Sequence, residues 1–73
     1  MIMAGTRTAT ILAIQTINIH GTIMMDISYQ LTSEATPRHA RFGGEAINGN
    51  LVVGASVQVT FVMNVATSIT VVM

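Results

Sequence analysis

The chain has no cysteine and no lysine, a single proline and, among 73 residues, six with a formal charge. Without cysteine, neither disulfides nor a thiolate metal site can stabilise it, and the redox compartment is left open. Without lysine, and with Arg7, Arg38 and Arg41 as its only permanent cations, it lacks the clustered basic side chains that displace phosphate counterions. That argues against a dedicated nucleic-acid binder. No apolar run approaches the ~18 residues of a membrane helix, and residues 1–5 lack the basic start of a secretory signal. Neither a membrane partner nor a signal peptide is expected.

What is present is apolar and extended. Half of the residues (51%) are hydrophobic, and they alternate with polar ones. In 22–31, Ile23, Met25, Ile27, Tyr29 and Leu31 share one parity while Thr22, Asp26, Ser28 and Gln30 share the other, the pattern of a half-buried strand. From 51 onward Leu51, Val53, Ala55, Val57, Val59, Phe61, Met63 and Val65 alternate with Gly54, Ser56, Gln58, Thr60 and Asn64. This reads as a second, long strand. After a kink near 64–67, Ile69, Val71 and Met73 continue the alternation. In the first segment, 6–19, Thr6, Thr8 and Thr10 hold one face until Leu12 and Ile14 break the parity, a slip that predicts a β-bulge between 9 and 14. His20-Gly21 separates the first two patterns, and its glycine supplies the positive φ of a tight turn, so a hairpin is expected over about 6–31.

Residues 32–50 are polar and carry Pro37 and three of the six glycines. They read as one long loop, and loops of this length are usually functional or disordered. Its expected contact residues are Arg38, Arg41, Phe42, Gly43, Glu45, Ile47 and Gly49. The glycines permit close backbone approach, Phe42 and Ile47 serve as apolar anchors, and the arginines pair with Glu34 and Glu45 in the same loop or in a neighbour's. The expected fold is therefore all-β: one domain over 1–73, a small antiparallel sheet of about four strands with hairpin 6–31, interaction loop 32–50 and closing strands 51–73. About 25 cal/mol per Å2 of buried apolar area set against about 1.5 kcal/mol of entropy per ordered residue leaves so short a chain near zero. Oligomerisation is then the expected source of stability, with neighbouring subunits completing the sheet into a ring, barrel or filament. The six methionines suit adaptable packing between subunits.

Catalysis finds no support. Ser33, His39 and Asp26 can be collected as a triad, but no nucleophile-elbow motif accompanies them. The run 42–49 lacks the Lys-Ser/Thr ending of a phosphate loop. His20 sits beside a turn glycine without ligand partners, and His39 lies between two arginines that disfavour a bound cation. No catalytic residue, cofactor or metal site is expected.

The stretch Ile17-Asn18-Ile19-His20-Gly21-Thr22, the strand through Tyr29, Arg38 followed by the Gly43, Glu45, Ile47, Gly49 pattern, and the pair of strands 57–62 and 68–72 together resemble the tail tube proteins of contractile-tailed, Mu-like bacteriophages. Typical members are longer and carry a helix, for which no helical period is present here. The resemblance implies a virion tail protein: six copies per ring, strands of neighbours forming a continuous barrel, and rings stacked into a tube that conducts DNA without binding it specifically. Asp26, Ser28, Gln30, Gln58 and Thr60 would then line the lumen, and other virion proteins would be partners. Two further readings stand beside it. One is a capsid decoration protein or extracellular filament subunit, with the Thr-rich first strand completing a neighbour's sheet. The other is a small oligomeric module holding a ligand with the loop 42–50.

Overall fold

The Thr- and Ile-rich start of the chain forms its longest element. In a computed structural model of the protein, which describes residues 4–72, β1 runs Ala4–Ile19 and returns through His20 and Gly21 as β2, Thr22–Leu31. Both turn residues lie at positive φ, 51° and 85°, the geometry whose twist matches the flanking strands. Asn18 Oδ1 accepts the Gly21 N–H at 2.8 Å. The expected hairpin forms, and so does the bulge: the register passes from Ile11↔Tyr29 to Ala13↔Ser28, leaving Leu12 unpaired. Ala9 and Ile11 before the bulge and Ile14 after it therefore serve the same core although their parity differs.

The expected loop 32–50 is not a loop. It holds strand β3, Arg38–Gly43, a 3-10 turn, Gly44–Ala46, and a two-residue strand β4, Ile47–Asn48. In β3, Arg38, Ala40 and Phe42 pair with Tyr29, Ile27 and Met25 on the core side, and His39 and Arg41 pair with Ser28 and Asp26 on the other. The alternation was in the sequence. It was hidden because one inward position carries a charge and another only a methyl group.

Two closing strands follow, later than expected. β5 spans Ser56–Val62 and β6 spans Val65–Val71, whereas residues 51–55 form an irregular crossing in which Gly54 takes φ 90°. That crossing is held to β1, since Ile11 N–H donates to Ala55 O at 3.0 Å and Gly54 N–H to Ile11 O at 2.8 Å. The kink expected near 64–67 is a two-residue turn at Met63-Asn64 followed by a shift of register beyond Thr60↔Ser68. Met73, the expected end of the last strand, lies outside the described residues.

The sheet order is β3-β2-β1-β5-β6-β4, antiparallel except for the pair Ile47↔Ile69 and Asn48↔Thr70 between β4 and β6. It is thus a mixed sheet of six strands rather than an antiparallel one of about four. Its terminal strands β3 and β4 are separated in the chain only by the 3-10 turn, a span of at most about 14 Å. The sheet consequently curls into a half-barrel whose two ends meet at that corner. Away from it they diverge, leaving a cleft between β3 and the start of β6 lined by Tyr29, Arg38, Phe61 and Val65. The concave side holds the core: Ala9, Ile11, Ile27, Tyr29, Leu31, Phe42, Val57, Val59, Phe61 and Ile69 are buried within one chain.

Candidate functional site

The convex side of the curl is polar because the same alternation that buries one face exposes the other. Strand register lays its side chains in rows: Gln30, Thr10 and Ser56; Thr8, Gln58 and Thr70; Thr6, Thr60 and Ser68. The five residues expected to line a lumen, Asp26, Ser28, Gln30, Gln58 and Thr60, share this face. Four of them are already engaged within the chain, Thr60 through its Oγ1 3.4 Å from Thr6 Oγ1. Arg41 donates to both carboxylate oxygens of Asp26, at 2.8 and 3.3 Å. Ser28 Oγ lies 2.7 Å from His39 Nδ1. Gln30 Nε2 donates to the carbonyls of Glu34 and Ala35 at 3.0 and 3.1 Å, tying down the 32–37 connection.

Gln15, Asp26, Ser28, His39 and Arg41 border one open depression on this face. The Arg41 hydrogen bond holds the Asp26 carboxyl below its ordinary range. Ser28 and His39 stand at the separation of a nucleophile and base, but Asp26 is committed to Arg41 rather than to the imidazole. The pair is a cross-strand contact between directly opposed residues, Ser28↔His39. The Ser33, His39 and Asp26 grouping is not assembled: Ser33 Oγ instead accepts from Arg7. Among the described residues no three His, Asp or Glu side chains gather where they could hold a metal ion.

A second cluster closes the rim of the core. Glu34 accepts from Arg38 Nε and Nη2 at 2.9 and 2.6 Å, with Arg7 Nη1 at 3.8 Å. The Arg38 hydrogen bond, aided by the positive charges of Arg38 and Arg7, holds the Glu34 carboxyl below its ordinary range. The Arg38 guanidinium also lies 5.6 Å from the Phe61 ring centroid, across the cleft between β3 and β6. Burial pushes the Tyr29 hydroxyl up, against the charge of Arg38. Glu34 therefore ties β1 to β3, and the pairing expected for Arg38 is made inside the chain.

The remaining loop residues separate. Phe42 is 2% exposed and belongs to the core, so it is not an interaction anchor. Ile47 packs against that core from β4. A Cβ on Gly43 would meet the Glu45 carboxylate at 2.7 Å, and one on Gly49, at φ 101°, would meet Val71 Cβ at 2.9 Å. Gly49 thus serves intrachain packing, whereas at Gly43 the end of the flexible Glu45 side chain can move aside. Arg41 pairs with Asp26 rather than with an acid of its own segment, and Glu45 makes no ion pair among the described residues.

Sequence reasoning missed where the apolar surface is left over. Ile19 and Ile23 flank the first turn, Val62, Met63 and Val65 surround the last, and Val52 and Val53 lie in the crossing; all are exposed, Met63 at 73%. Parity had assigned Val53, Met63 and Val65 to a buried face. Their exposure follows from the late start of β5 and from the turn at Met63-Asn64. No helix among the described residues is long and apolar enough to cross a membrane. No protein-family model, curated protein or solved structure matches the chain.

Proposed function

We propose that this chain is a self-assembling structural protein, a subunit of a tubular virion component of the tail-tube kind. The observation that carries the reading is that a chain with six charges leaves large apolar side chains and unpaired strand edges in solvent. Surfaces of that kind are costly in a free monomer and useful in an assembly. The polar, weakly charged convex face would then turn toward the lumen, with protomers arranged around it and their cores on the outside. DNA would pass such a face without specific contacts. Electron microscopy of the untagged protein tests the proposal: hollow tubes or stacked rings support it, and a dispersed monomer refutes it.

A second reading rests on the depression bordered by Gln15, Asp26, Ser28, His39 and Arg41. In it the chain is a small binding module that takes a polar ligand on the convex face rather than on the 42–50 segment. Saturable shifts of the His39 ring resonances on titration with a sugar or anion panel would favour it; an unresponsive ring would remove it.

A further inference from the structure

The bare strand edges are not alike, and the difference selects one of them. Proteins guard exposed edges with charge, proline, bulges or shortness. β3 is preceded by Pro37 and carries Arg38 and Arg41; β4 has two residues; the uncovered part of β6 is short and interrupted by the register shift near Thr67. β1 is different. It pairs with β5 only through Thr10, and its last backbone bond on that side is at Ile11. Beyond it, residues 12–19 have β2 on one side and no strand on the other among the described residues. This arm of the hairpin contains Ile14, Ile17 and Ile19, no proline and no charge.

The register shows which backbone groups are free. Ile19 and Thr22 flank the two-residue turn and bond to each other across it. Alternate residues of an antiparallel strand turn their N–H and C=O to opposite sides, so Ile17, Gln15 and Ala13 also face β2. Ile14, Thr16 and Asn18 face outward. A second copy related by a two-fold axis through Thr16 would set Thr16 opposite Thr16, and Ile14 opposite Asn18, with every outward donor meeting an outward acceptor. No charge opposes another in this register. By contrast, antiparallel self-pairing of β3 would bring the His39 and Arg41 side chains of one copy against those of the other on the same face, which is unfavourable.

We infer that residues 12–19 of β1 form a two-fold, antiparallel contact with the same residues of a second copy, centred on Thr16. This deepens the assembly reading and rests on it. An isologous contact closes on itself, so it makes a pair, and any tube is built from such pairs through other surfaces.

The test uses sedimentation equilibrium of the full chain and of Thr16→Lys and Thr16→Glu. Thr16 is exposed, so neither change disturbs the core, and retained far-UV circular dichroism checks this. Each variant sets like-charged side chains directly opposite at the axis, their Cβ atoms about 5 Å apart, and is expected to weaken pairing about tenfold or more, while an equimolar mixture of the two re-forms the pair. In wild type the Thr16 amide should exchange slowly at high concentration and fast on dilution. Variants that associate as wild type does would overturn this contact while leaving assembly through another surface. A mixture that stays monomeric would also overturn it, and a monomeric wild type would overturn both readings.

Discussion

Met63 occupies the first position of the two-residue turn between β5 and β6, at φ 52°, with Asn64 at φ 67°. An L-residue in the left-handed region costs about 1–2 kcal/mol because its Cβ crowds the following carbonyl oxygen, and Asn tolerates it better through local hydrogen bonding. Met63 is also 73% exposed, so it gains little packing in the protomer to offset that cost. Met63→Asn should then stabilise the isolated protomer by about 1 kcal/mol, or about 4–8 °C in Tm for a chain this small. Met63→Lys provides the control, because it removes the same exposed apolar surface without the preference for positive φ; its effect should stay within about 0.5 kcal/mol.

Thermal and urea unfolding followed by circular dichroism measure both variants at a concentration low enough to keep the protein unassociated. If Met63→Asn is no more stable than Met63→Lys, the turn is not strained in the way its dihedrals indicate. The same substitution probes why a methionine is there. A residue that breaks a local rule without a local return points to function. Met63→Asn is therefore expected to weaken assembly while it stabilises the protomer, the exchange of stability for function that strained sites display.

Phe42→Ala should destabilise by about 3–5 kcal/mol as a core truncation; a mild effect in urea unfolding would mean that Phe42 is not the core residue described. Gly49→Ala adds a Cβ 2.9 Å from Val71 Cβ at φ 101° and should cost about 1–3 kcal/mol, whereas Gly44→Ala, with nothing within 4 Å and no positive φ, should be nearly silent. The Asp26 and Glu34 carboxyls are held below their ordinary values of 3.8 and 4.5 by Arg41 and Arg38. Folded pKa values below unfolded ones contribute stability that is present above the unfolded values and is lost as pH falls through the folded ones. Stability should therefore decline progressively below about pH 4.5, and less so in Glu34→Gln; an identical acid limb in that variant would dissociate Glu34 from the effect. Burial raises the Tyr29 hydroxyl above 10.0, so its contribution is present below that pH and lost above it, and Tyr29→Phe should flatten the alkaline limb.

Local alternation made β1 and β2 legible, because each reads as a strand without reference to anything distant. The turn at His20-Gly21 and the bulge near Leu12 were legible for the same reason: each is a local departure from a local rule. β3 was not, since its inward positions are Arg38, Ala40 and Phe42, and the first becomes an inward position only when its guanidinium has the Phe61 ring to cover. The division of 51–62 into a crossing and a strand was equally hidden. It depends on Gly54 bonding to Ile11, a partner more than forty residues away in the chain. The contact residues assigned to 32–50 dispersed for that reason. Pro37, Gly43 and Gly49 have the composition of a loop and the placement of a strand with a corner in it.

The bulge at Leu12 links these observations to the proposed assembly. A strand of 16 residues cannot serve both walls of so small a curl while remaining straight, and a bulge bends a strand and strengthens its twist. Up to Ile11, β1 is a central strand flanked by β2 and β5; after Leu12 it parts from the β5 side and keeps only β2. One unpaired residue thus separates the part of β1 that builds the core from the part left with an unguarded edge. The slip in the Thr6, Thr8, Thr10 alternation marks the place where β1 loses its second neighbouring strand. If the arm is the contact, the divide between folding and assembly falls within a single strand, so changes at exposed Thr16 should alter association without altering stability, and changes at Ala9 or Ile11 should do the reverse.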